Sequence, residues 1–168
     1  SKSIICAYIS YYILKELDWR SDTVRKKFLL ASIIQDAFLS NENLSNLKSI
    51  SDPLSVNFSE EEINEYLEHP KQIAQIARQL TQFPDIDFLL EQHHELPTRN
   101  GFPNRPHPSE IQIAVCLFNL ASHFARDMDG EEFSMKKCQE LVVSYEEEFS
   151  VGNFKEALMT LKKVFKAR

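Results

Sequence analysis

Four side chains stand out as donors for a metal ion. His93 and His94 are adjacent, at the end of a predicted helix and just ahead of a proline-rich loop. Adjacent imidazoles at a helix-to-loop transition can point to different positions of one site, as a metal cluster requires. His69 precedes Pro70 in the middle of an amphipathic stripe, and Asp36 follows the apolar run Ala31-Ser32-Ile33-Ile34. A carboxylate there is costly to bury unless it is paired or metal-bound, although at a helix end it can also reach solvent. Singly, each has a bland explanation: a polar helix end, or a satisfied histidine beside a proline. Together, three imidazoles and a carboxylate, each at a helix end or kink, are a ligand set that Fe, Mn or Zn accepts. Spacing alone leaves open whether they converge.

The elements that must position them are helical. Ile4, Ile5, Tyr8, Ile9, Tyr12, Ile13 and Leu17 form one stripe, broken by the polar stretch from Asp18 to Asp22. A second, more buried helix carries Val24, Phe28 and Leu29 and is predicted to run to Leu39. The segment from Ser40 to Phe58 reads as loop with one short helix over 44–50. Ser59 with Glu62 is a capping box that opens a third helix, with a kink or restart expected after His69 because Pro70 removes a backbone bond. Another helix is predicted from Pro84 through Glu95, then the proline-rich loop Leu96 to Pro108. A long apolar helix from Ser109 to Met128 follows, and Ser134 and Asn153 are candidate caps for two final helices. The count is about seven helices, and the expectation is a single compact all-α domain over residues 1–168.

Composition narrows the function classes. Only three glycines occur in 168 residues, at 101, 130 and 152. That excludes Gly-rich phosphate loops and dinucleotide fingerprints, which need several glycines close together. The net charge is −6 and no Lys/Arg cluster is present, so the chain is not a binder of nucleic-acid polymers. No apolar run reaches the roughly 18 residues of a membrane span. Cys6, Cys116 and Cys138 read as buried free thiols of a reducing, cytoplasmic compartment, with a disulfide between two of them as the alternative. The chain opens on Ser1 rather than Met, which fits a piece of a longer signalling protein.

The stretch His93-His94-Glu95-Leu96-Pro97-Thr98-Arg99-Asn100-Gly101-Phe102-Pro103 resembles the HD-GYP signature, H-H-E-x-x-D-G-x-G-Y-P. The resemblance continues through Glu68-His69-Pro70 and the apolar helix ending in Gln35-Asp36-Ala37-Phe38-Leu39, where the family carries H-D-x-G-K. Family members are bacterial helical domains that hydrolyse cyclic di-GMP with two or three metal ions. The departures are pointed. The family's HD histidine falls on Gln35, its catalytic lysine on Leu39 and its late aspartate ligand on Ser122. The D-G pair becomes Thr98-Arg99, and the region expected to supply phosphate contacts reads Asp127-Met128-Asp129-Gly130-Glu131-Glu132.

The resemblance therefore implies a degenerate member. Asp36, His69, His93 and His94 match one set of ligand positions and would hold a single divalent ion (Fe, Mn or Zn) or none. The position that needed Gln35 and Ser122 would be lost, and hydrolysis with it, because a two-metal hydrolase needs one ion to make hydroxide and another to stabilise the attacked phosphate. The implied role is a signalling module that binds cyclic di-GMP or docks a diguanylate cyclase-type partner. The docking loop would carry Arg99, Gly101, Phe102, Pro103 and Arg105, with Phe102 and Arg105 exposed as anchors. Two alternatives stay open. One is a divergent phosphohydrolase with residual activity, with His123 as a displaced ligand. The other is a metal-free HDOD-type scaffold, in which the four ligand candidates would not converge.

Overall fold

The computed structural model describes residues 1–49 and 51–167. Eight α-helices and two 3-10 turns make up the fold, with no strand among the described residues. The helices are α1 (Lys2–Glu16), α2 (Asp22–Ile34), α3 (Glu60–Ala77), α4 (Ile86–Glu91), α5 (Ile113–Asp127), α6 (Met135–Ser144), α7 (Glu146–Phe149) and α8 (Phe154–Phe165). The all-α reading holds. None of these helices is long and apolar enough to cross a membrane.

Helix α5 is the axle, because its run from Val115 to Ala125 is apolar or small on nearly every face and is wholly buried. Helix α1 lies along it and also meets α2 and α8, while α3 pairs with α4. Phe28 of α2 meets Phe118 of α5 edge-on, with ring centroids 5.8 Å apart. Burying a ring of that size is worth about 1.5–3 kcal/mol. A separate small cluster of Leu44, Leu47, Tyr66 and Phe102 sits beside this core. All three cysteines are free and buried.

Several boundaries depart from the sequence expectation, each for a local reason. Helix α2 stops at Ile34 rather than Leu39 because its hydrogen bonds tighten to i→i−3: Ala37 N–H donates to Ile34 O and Leu39 N–H to Asp36 O. Segment 40–58 forms 3-10 turns at Glu42–Asn46 and Pro53–Asn57 instead of a helix over 44–50; Ile50 lies outside the described residues. Helix α3 runs unbroken through Pro70. Helix α4 ends at Glu91, and α5 starts four residues later than Ser109. The last stretch is three helices, because the chain breaks at Tyr145. The Ser59 capping box and the Ser134 cap are present. Asn153 is not a side-chain cap: its Nδ2 donates to Ser109 O and Ile111 O, fastening α8 to the start of α5.

Candidate metal centre

Asp36, His69, His93 and His94 converge. One donor atom from each can be chosen so that all lie within 4.8 Å of one another. His69 Nε2 is 3.2 Å from His93 Nε2, and Asp36 Oδ1 is 3.7 Å from the former and 3.9 Å from the latter. Ligands at about 2.0–2.1 Å from one ion lie roughly 3.0–4.2 Å from each other, depending on geometry. The three separations among Asp36, His69 and His93 fall in that range. The three imidazoles are buried, whereas the Asp36 side chain is 28% exposed.

Local structure fixes how each ring is presented. Pro70 has no N–H, so the carbonyl of Tyr66, four residues before it, lacks its helical donor. His69 Nδ1–H fills that vacancy, donating to Tyr66 O at 2.6 Å. The lost bond that would kink α3 is thus replaced by the bond that orients a ligand, and the helix continues. His93 does the same at the end of α4. Its Nδ1–H donates to Leu90 O at 2.6 Å, one of the carbonyls a helix C-terminus leaves without a partner. With both Nδ1 atoms protonated, the two Nε2 lone pairs face each other across 3.2 Å. Such an arrangement asks for a cation between them, and carbonyl-bound Nδ1–H with metal-facing Nε2 is the usual habit of ligating histidine. His94 Nε2 is buried with no hydrogen-bond partner at all.

These donors fit an ion chemically as well as geometrically. Burial pushes His69 down to about 3, with the neighbouring His93 adding to the effect, and it holds His94 well below the ordinary imidazole range. Both are therefore neutral ligands at neutral pH. Burial alone would raise the Asp36 carboxyl, but its contacts with His93 and His69 and the nearby Arg126 guanidinium outweigh it and hold it below its usual value. Asp36 also lines a cleft of about 260 Å³ with Lys2, Leu39, Glu42, Ser45 and Asp129, which gives the cluster a way out to solvent.

The remaining expected positions behave differently. Gln35 and Ser122, 87 residues apart, meet in the interior, where Ser122 Oγ donates to Gln35 Oε1 at 3.1 Å. Leu39 packs on the Leu44–Leu47–Tyr66–Phe102 cluster and brings no charge. His123 is not a displaced ligand. It faces Asp127, with Nε2 3.8 Å from Oδ2, and stands edge-on to Tyr145 and Phe149.

The loop expected to dock a partner differs from the sequence expectation at Phe102. Phe102 is 3% exposed, stacked on His94 with centroids 4.5 Å apart and edge-on to Tyr66. It is part of the site's wall and not an exposed anchor, because the loop is drawn inward by Glu95. That buried carboxylate accepts N–H bonds from Asn104 at 2.6 Å and Arg105 at 3.1 Å. Gly101 is buried because His94 O and Leu96 N leave no room for a Cβ, and Pro103 is half-buried. Of the five expected docking residues, Arg99 and Arg105 face solvent, and each spends its Nε–H on a loop carbonyl.

Two residues escaped the sequence reading. Tyr66 lies inside an ordinary amphipathic stripe, and only its hydroxyl contacts reveal a role. Arg126 stands one turn beyond Ser122 on α5, and its charge is felt at Asp36, His69 and His94. No family model, no curated protein and no solved structure matches this chain.

Proposed function

We propose that this chain is an HD-GYP-like helical module that holds one divalent ion and has lost hydrolysis of cyclic di-GMP. It serves as an interaction or ligand-binding element of bacterial cyclic-di-GMP-type signalling in the cytoplasm. One observation carries the reading: Asp36, His69, His93 and His94 meet around one point, while Gln35 and Ser122 meet each other through a neutral hydrogen bond. Gln and Ser are weak ligands for a hard divalent ion, so the second position offers nothing to bind one. In the bound state the three Nε2 atoms and Asp36 would hold the ion, which would supply Lewis acidity at the cleft. Arg99 and Arg105 are the loop's free cations for an anionic partner surface such as a cyclase domain.

A residual phosphohydrolase is the second reading, favoured by the opening of Asp36 onto its cleft, which leaves a path for water and a phosphate to an ion there. Elemental analysis of purified protein, combined with cyclic di-GMP titration and a hydrolysis assay, separates the two. The expected result is about one ion per chain and no turnover. Two ions per chain, or turnover abolished by chelator and restored by metal, would overturn the degenerate reading. Less than about a tenth of an ion per chain after metal loading would remove the metal centre itself.

A further inference from the structure

We propose that Tyr66 is the positioning residue of the metal centre: its hydroxyl sets the tautomer of His94 while its carbonyl sets that of His69. The proposal rests on the reading of the four-residue cluster as an ion site. Tyr66 is 1% exposed, with its ring edge-on to His94 (5.0 Å) and Phe102 (4.9 Å). Its hydroxyl lies 2.8 Å from Leu47 O and 3.4 Å from His94 Nδ1. A carbonyl can only accept, so the single phenolic proton goes to Leu47. Toward His94 the phenolic oxygen is left with lone pairs alone, and it pairs favourably only if Nδ1 carries the imidazole proton. Nε2 is then a bare lone pair, and it is the buried atom with no partner.

The opposite tautomer would fail twice. It would set the Nδ1 lone pair against phenolic lone pairs, and it would bury an Nε2–H donor with nothing to receive it. One residue thereby orders two of the three imidazoles, His94 through its hydroxyl and His69 through its backbone carbonyl. It also joins the centre to the turn Glu42–Asn46, whose Leu44 packs in the same small cluster. Affinity for the ion becomes linked to the seating of that turn, since whatever lifts Leu47 away frees the phenolic proton to reach His94 Nδ1 and favours the wrong tautomer.

The test uses the full chain with Co²⁺ and Zn²⁺ as the probes. Tyr66→Phe removes the hydroxyl and keeps the ring. The variant is expected to bind either ion about 10–100-fold more weakly, the usual cost of losing an outer partner of a ligating histidine. The visible spectrum of the Co²⁺ form should change, because His94 is no longer held. A second measurement needs no variant: ¹⁵N NMR of the metal-free wild-type chain should show His94 protonated at Nδ1. A Tyr66→Phe protein with unchanged affinity and Co²⁺ spectrum, or a wild-type His94 protonated at Nε2, overturns the proposal and leaves the metal centre standing. A wild-type chain that takes up neither ion overturns the metal centre and the proposal together.

Discussion

Lowering the pH from 7 to 5 in the presence of chelator should strip this fold of a large part of its stability. His69 and His123 are buried in separate places, one in the ligand cluster and one against Tyr145 and Phe149, and each is held neutral down to about pH 3. In the unfolded chain both titrate near 6.5. The unfolded state therefore binds more protons below pH 6.5, so stability is fully present above that value and falls with pH beneath it. At about 1.4 kcal/mol per pH unit, each group costs about 2 kcal/mol at pH 5, or about 4 kcal/mol together. His94, also held low by burial, acts in the same direction.

The carboxyls do not cancel this within the window. Asp36 and Asp127 are held below 3.8 and matter only in stronger acid. Burial raises Glu95 and Glu148 above 4.5, so each returns some stability as the pH falls through its raised value toward 4.5, an offset in part to the histidine loss. For a domain stable by about 5–15 kcal/mol, a loss of this size is a substantial fraction. Urea unfolding followed by circular dichroism at pH 7, 6 and 5 measures it. His123→Asn, remote from the ligand cluster, should remove about 2 kcal/mol of the pH sensitivity whatever it does to baseline stability. A wild-type difference below about 1 kcal/mol between pH 7 and pH 5 would refute the claim that these imidazoles are buried and neutral.

Gly101→Ala should cost about 3 kcal/mol, read from the urea midpoint, because a Cβ there would strike His94 O and lie 2.5 Å from Leu96 N. Unchanged stability would mean that the loop does not pass this close to the paired histidines. Glu95→Gln should cost about 1–3 kcal/mol, since its carboxylate takes the Asn104 and Arg105 N–H groups, and exchange at those two amides should quicken. Gln35→His combined with Ser122→Asp should raise metal content from about one to about two ions per chain. A count that stays at one would show that the Gln35–Ser122 contact does not mark a second ligand position.

The residue types of the candidate centre were legible in the sequence; their convergence was not. Asp36, His69, His93 and His94 come from three separate parts of the chain, and what unites them is packing of α3 and α4 beside the end of α2. The rule that Pro70 should kink α3 was sound as to cause, since the proline does remove a donor, but it overlooked that the preceding histidine could supply one. Helix α2 overran its true end because no glycine or proline marks Ile34, and the halt is a tightening of hydrogen bonds that composition does not reveal. Phe102 was misplaced for a related reason. A proline-rich loop with a single aromatic looks exposed in sequence, and the residue that draws it inward is the buried carboxylate of Glu95. The resemblance assigns Gln35 and Ser122 to one shared position, and the two side chains meet across 87 residues of chain.

That contact also bears on the proposal of a single ion. Within the four-residue cluster Asp36 supplies the one carboxylate that would face a divalent ion, because the three imidazoles are neutral ligands, while Glu42 and Asp129 line the cleft beyond it. The Arg126 guanidinium adds further positive charge close enough to be felt at Asp36, His69 and His94, and its Nη1 is itself buried without a partner. A second ion at Gln35 and Ser122 would gather more positive charge with only neutral oxygens to offset it, and in a buried setting uncompensated charge is costly. The hydrogen-bonded Gln35–Ser122 pair leaves both side chains satisfied without any ion.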